Sequence, residues 1–338
     1  MTIKDVAEYC GVSITTVSRV LNNHPDVREN VRAKVLAAIQ ELHYVPNNSA
    51  RDLGKSQTDT IGVVLRGATN PFLISVLHSI ERAAAAAGYA TVLQQIEAGE
   101  DELAAGASLV RSKRLRGLIL LGGEFDYAPR RVADLLVPFV CCTFTGTFGS
   151  LPKSAYSSVS IDDYAEAYRA VKTLLDHGHR RVAVLLESTN DRSISELRYH
   201  GYCAALRDAG LSVDPDLVAQ SGSFEMQDVY DATCQLIARN PDFTALFTIS
   251  DLMAMAAIKA LDNTGLRVPQ DCSVISIDGI ELTRFTVPTL TSLVQPAAEM
   301  GVEAVRILVD VLEGKGPHRH LKLATTLREG ETVAAIPT

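Results

Sequence analysis

This sequence is poor in the features that mark most simple functional classes. It has no uninterrupted apolar run near the ~18 residues of a transmembrane helix, so no membrane span is expected. The opening MTIKDVAEYC has no long apolar stretch behind a basic end, and no signal peptide is expected either. Six cysteines, at 10, 141, 142, 203, 234 and 272, include no CxxC pair. They read as buried small hydrophobes of a reduced, cytoplasmic protein, which excludes a disulfide framework or a zinc site. No GxGxxG follows the first strand-like run, and GxxxxGKS/T, GxSxG and HExxH are absent. No enzyme activity, cofactor or metal is therefore expected. The triplet HGH at 177–179 falls where a helix gives way to a strand and reads as a structural turn.

An excess of positive charge is missing as well. The formal net charge is -8, which on composition alone argues against a nucleic-acid partner. The acidity is unevenly spread, however. Residues 1–57 hold seven Lys or Arg against six Asp or Glu, which leaves 25 against 34 of the totals of 32 and 40 for the remainder. Any affinity of the first segment for DNA must come from placed residues. What the chain does have is length and core material: 338 residues, 47% hydrophobic, enough for two or three domains.

The first segment has helical periodicity. Ile3, Val6, Ala7 and Cys10 fall on one face of a short helix, and Gly11 supplies the exit. Ser13 is a good N-cap for a second helix from Ile14 to about Asn22, with Val17, Val20 and Leu21 inward. Ile14, Thr15, Ser18, Arg19 and Asn22 share the outward face. A third helix carries Val31, Val35, Ala38, Ile39 and Leu42; Arg28 stands at its capping position, so Asp26 is expected to cap instead. Two short helices around a tight Gly turn make a helix-turn-helix, whose second helix enters the major groove. A small helical bundle without DNA would share this generic pattern.

The residues themselves are more specific. TIKDVAEYCGVSITTVSRVLNN, followed by AIQELHYVPNNSARDL, closely resembles the head of the lactose/galactose-repressor (LacI/GalR) family of bacterial transcription regulators. By position, the resemblance implies base contacts from Ile14, Thr15 and Arg19 and phosphate contacts from Ser13, Thr16, Ser18 and Asn22. Val31 stands where the family commonly has Thr, so no phosphate contact is carried over there. The polar stretch NNSARDLGKSQTD after Pro46 is too short to be a stable free helix. By itself it reads as a flexible linker. The resemblance implies a hinge helix in the minor groove, with Asn47 and Ala50 beside it and Leu53 as an apolar wedge between base steps. Paired hinges imply a homodimer on a near-palindromic double-stranded operator.

Beyond residue 58, IGVVL, ATVLQQ, GLILLG and FVCCTF read as buried parallel strands separated by helices. SVSID is expected to open a second series containing RVAVLLE, LVAQ, ALFTIS and SVISID. TSLVQP and the helix after it return the chain to the first unit, and LKLATTLREG to the second. The fold class expected is α/β: an all-α headpiece (1–45), a hinge (46–57) and a two-lobed, periplasmic-binding-protein-like core (58–338) of two doubly wound parallel sheets. The first lobe would span about 58–158 and 295–317, the second about 159–294 and 318–338.

The core also resembles the family's effector domain. RGATNPF places Arg66, Asn70 and Phe72 at the cleft, and DRSISELRYHGY places Arg192 and Arg198 there. GSF adds Phe224, ISD adds Ser250 and Asp251, and ISIDGIE adds Asp278, with Gly279 where the family usually has a second acid. Three arginines at one cleft would favour an anionic effector, a sugar phosphate or sugar acid. If Glu124, Glu196 and Asp278 neutralise them, a neutral sugar or a nucleobase compound fits as well. The resemblance thus implies a cytoplasmic, dimeric repressor of carbohydrate-metabolism genes, switched by a small molecule. A regulator answering to a protein partner, or a soluble sugar-binding protein of the same core fold, stands as the alternative.

Overall fold

In a computed structural model the described residues are 2–21, 24–42, 58–67, 69–97, 99–123, 132–144, 151–189, 193–239 and 242–336. They form two compact units, one up to Thr58 and one from Asp59 onward.

The first unit is three helices, α1 (Ile3–Cys10), α2 (Ile14–Leu21) and α3 (Glu29–Glu41). Asp5 accepts the Thr2 amide at 2.6 Å and so ties down the start of α1. Gly11 ends it at φ 60°, and the Ser13 hydroxyl accepts the Thr16 amide at 3.1 Å to start α2. Val6, Cys10, Val17, Val20, Val35 and Ala38 close a small core among the three helices. The cap expected for α3 is not there. Arg28 occupies the position without a side-chain bond, and Asp26 lies 3.4 Å from His24 instead. The first turn of α3 makes do without a side-chain cap.

The second unit contains two six-stranded sheets. The first is built from β1 (Thr60–Arg66), β2 (Ala90–Ile96), β3 (Gly117–Leu121), β4 (Phe139–Cys142) and β5 (Ser157–Ser160), with α4 (Pro71–Ala86) and α5 (Glu102–Lys113) as crossovers. The chain then passes to α6 (Asp163–Asp176), β6 (Val182–Leu186), α7 (Ile194–Asp208), β7 (Val218–Gln220), α8 (Met226–Arg239), β8 (Ala245–Thr248), α9 (Asp251–Asn263), β9 (Ser273–Asp278) and β10 (Thr291–Val294). Helix α10 (Ala297–Leu312) returns to pack on α4, and β11 (His320–Lys322) and β12 (Thr326–Arg328) end the two sheets. The strand orders are β11-β5-β4-β3-β1-β2 and β12-β10-β9-β8-β6-β7, all pairs parallel except β10 with β12. Strands β3, β4, β6 and β8 are buried throughout, as sheets covered by helices on both faces require.

Two expectations about the lobes are corrected. SVSID does not open the second sheet: β5 pairs with β4 and belongs to the first. LKLATTLREG does not lie wholly in the second sheet, because β11 pairs with β5 and only β12 crosses over. The cause is polar. Ser157 and Ser158 are buried, and their hydroxyls are met by His318 at 2.9 Å and His320 at 2.8 Å from the late segment. The chain therefore passes between the lobes at 161–162, 295–296 and 323–325.

The HGH turn is structural. His179 is buried, with Nδ1 3.0 Å from the Thr244 hydroxyl and Nε2 3.0 Å from the Ser273 hydroxyl. Burial lowers its proton affinity.

Candidate functional site

Two surfaces carry the residues singled out above, one in each unit. On the headpiece, the inward Val17 and Val20 fix the rotation of α2 and leave Ile14, Thr15 and Arg19 exposed side by side. A long planar donor next to two short contacts suits base edges in a groove. Ser13 and Thr16 share a hydroxyl–hydroxyl bond of 2.9 Å at the N-terminus of the helix, and Ser18 is half-buried behind them. Asn22, Asn47, Ala50 and Leu53 lie outside the described residues.

In the second unit, a cavity of about 200 Å³ opens between the two sheets. A single water needs only ~15 Å³ on that measure, so there is room for a small organic molecule. Its walls come from both lobes at the C-terminal ends of strands, where open α/β sheets bind ligands. Arg66 is the last residue of β1 and Asp278 the last of β9. Asn70 caps α4 by accepting the Phe72 amide at 2.9 Å, and Ser250 caps α9 by accepting the Met253 amide at 3.3 Å. Phe72 and Phe224 supply apolar wall.

The charges of this cavity are met from within. Arg198 is 2% exposed, its Nε and Nη2 2.9 and 2.8 Å from one oxygen of Asp163. Its Nη1 donates to the Ile249 carbonyl and lies 4.0 Å from Asp278. Arg66 lies 3.4 Å from Glu102, which is 1% exposed behind the cavity wall. Asp278 bridges the lobes: one oxygen accepts Gln295 Nε2 at 2.8 Å and the other accepts Asn70 Nδ2 at 3.2 Å. Burial pushes its carboxyl up to about 7, with Arg198 opposing the rise and Asp251 adding to it. Burial also raises the Asp163 carboxyl, against the pull of Arg198.

Arg66, Asn70, Phe72, Arg198, Phe224, Ser250 and Asp278 are thus brought to one cavity. Asp251 is not. It is fully buried away from the cavity lining, and its oxygens accept from Ser276, Ser292, Thr283 and the Ile280 amide. Arg192 and Glu124 lie outside the described residues. Glu196 does not neutralise a cleft arginine: it faces His200 at 3.7 Å, one turn along α7. Asp163 and Glu102 take that role, and neither was legible as a partner because each belongs to a helix start far from its arginine in sequence. Thr143, Glu187 and Gln295, each just after a strand, and Ile194 at the start of α7 also line the cavity, and nothing in their local sequence separates them from other strand ends and helix starts.

A helix-turn-helix unit and a two-lobed core with a ligand-sized cleft define a small-molecule-responsive transcription regulator. Residues 2–47 match the description "Bacterial regulatory proteins, lacI family", and residues 171–333 match "Periplasmic binding protein-like domain". The chain is 36% identical over 334 residues to the HTH-type transcriptional regulator MalR of Clostridium butyricum, covering 98% of this chain and 99% of that protein. It is 37% identical over 310 residues to the ribose operon repressor of Escherichia coli (strain K12), covering 91% and 92%. The crystal structure of the lac repressor dimer bound to operator and the anti-inducer ONPF superimposes with a TM-score of 0.83 at 27% identity, covering 99% of each chain. The chain belongs to the lacI family of bacterial regulatory proteins, a family of transcription regulators and not of enzymes.

Proposed function

We propose that this protein represses a sugar-utilisation operon in the cytoplasm, with a neutral sugar in the cleft as its effector. It binds a near-palindromic operator as a homodimer. Ile14, Thr15 and Arg19 read bases, Ser13, Thr16, Ser18 and Asn22 hold phosphates, and the hinge residues Asn47, Ala50 and Leu53 enter the minor groove. The observation that carries the choice of effector is the internal pairing of Arg198 with Asp163 and of Arg66 with Glu102. Both cationic side chains already face a buried carboxylate, so an anionic ligand would have to compete for them. Asp278, Asn70 and Gln295 are also bonded to one another, but each keeps a further lone pair or amide hydrogen that a sugar hydroxyl can meet, and the Phe224 ring adds a flat apolar wall. The ribose operon repressor among the relatives is consistent with a sugar.

The test is crossed. Thermal shift against neutral sugars, sugar phosphates, sugar acids and nucleobases names the ligand class. Operator binding, followed by fluorescence anisotropy, is then measured with and without the hit. Phe224→Ala is expected to weaken the sugar about tenfold and leave sugar-free operator binding unchanged, whereas Arg19→Ala does the reverse. A shift given only by a sugar phosphate or sugar acid would overturn the neutral assignment. No shift from any compound would point to control by a protein partner.

A further inference from the structure

Asp278 has φ 133°, a region that residues with side chains rarely occupy. The next residue, Gly279, has φ 72°, and a Cβ there would meet the Val294 backbone at 2.5 Å. The turn after β9 is therefore pressed against β10 in a conformation that it would not hold unaided.

The restraint is visible one layer behind the cavity. Asp251, at the start of α9, accepts the Ile280 amide at 2.8 Å and the Thr283 hydroxyl at 3.1 Å on one oxygen. Its other oxygen accepts the Ser276 hydroxyl and, at 2.6 Å, the Ser292 hydroxyl. Ser292 in turn accepts the Gly279 amide at 3.1 Å. From the edge strand β12, Arg328 donates to the Thr283 hydroxyl at 2.6 Å and to the carbonyls of Gly279 and Ile280 at 3.3 and 3.4 Å. The hydrogen bonds to Asp251 all come from β9, from the turn that follows it, or from β10 beside it. Neither Asp251 nor Arg328 lines the cavity.

We infer that Asp251 and Arg328 are positioning residues for the effector: they set its affinity by locking the backbone of Asp278, without touching the ligand. The inference rests on reading the cavity as the effector site. It differs from a role in general stability because the network converges on the turn that holds Asp278, which lines the cavity at a left-handed φ, as Thr143 does on the other lobe.

Two measurements test it. In the first, D-ribose, D-glucose, maltose and cellobiose are titrated calorimetrically into the full-length wild type, Arg328→Gln, Asp278→Ala and the double variant. Whichever sugar binds the wild type is expected to bind each single variant at least tenfold more weakly, and the double variant no more weakly than Asp278→Ala. Losses that multiply in the double variant would overturn the proposal. In the second, the Asp278 carboxyl is titrated by carbon NMR. The charged groups acting on it are Arg198 on α7 and Asp251 on α9, with Arg66 and Glu187 also lining the cavity. Removing the Arg328 charge alone would raise the Asp278 midpoint. Releasing the turn admits water and lowers it, by an expected unit or more in Arg328→Gln, so an unchanged or raised midpoint sinks the proposal. Should Arg328→Gln fail to fold, Ser292→Ala removes only the hydroxyl under Gly279 and decides by the same criterion. If none of the four sugars binds the wild type but the midpoint falls, the positioning stands and the sugar reading fails.

Discussion

Asp278 couples the cleft to pH. Between its ordinary value of 3.8 and about 7, the folded protein retains a proton that the unfolded chain has lost. The contribution of this group to stability is therefore complete below that ordinary value and is lost as pH rises through 7. At about 1.4 kcal/mol per unit, the loss is at most about 4 kcal/mol. Urea unfolding of Asp278→Asn is expected to show a flatter dependence between pH 5 and 8 than the wild type; parallel curves would refute this. Arg198 makes the opposite kind of demand. With Arg198→Ala, Asp163 is left buried without its cation, and a loss of ~3–5 kcal/mol is expected from chemical denaturation. That variant reports on folding first and on ligand second, which is why Phe224→Ala is the cleaner probe of the cleft.

Among the elements, helices α6 and α7 are packed unusually close. A Cβ on Gly201 would come within 2.3 Å of the Tyr164 carbonyl and 2.9 Å of the Ala167 Cβ. Gly201→Ala is expected to cost ~1–3 kcal/mol by overpacking and to weaken the effector as well, because α7 carries Arg198. A melting curve with a sugar titration would separate the two effects, and an unaltered melting temperature would rule out the close packing. In the headpiece, Arg19→Ala is expected to weaken the operator by ~1–3 kcal/mol without altering the fold, since the side chain is exposed. At this scale most of the architecture was legible. Continuous apolar runs such as GLILL and VAVLL name themselves as buried strands, and the apolar spacing of the headpiece helices sets their faces. What local sequence does not record is a partner. SSVS and HLK are short and polar, and nothing in either records that the first pairs with β4 or that His320 meets Ser158. Asp251 was misassigned for a related reason: a carboxylate at a helix start looks the same whether it faces a ligand or a ring of internal hydroxyls.

For the whole molecule, the division at residue 58 predicts separable halves. A fragment of residues 59–338 is expected to bind the sugar as tightly as the full chain, within about twofold, and to show no operator affinity. Calorimetry and anisotropy check the two statements, and a large drop in sugar affinity would show that the headpiece contributes to the cleft. In the full-length protein, effector and operator must alter each other's affinity by the same factor. The three passages between the lobes have a further consequence, for the order of events on the ribosome. The headpiece has all its residues by the time the first few dozen have emerged. The first sheet, by contrast, lacks its edge strand until His320–Lys322 is made, and α10, which covers it, comes scarcely earlier. Neither lobe can close until nearly the whole chain has been translated. The half that reads DNA is finished long before the half that decides whether it should.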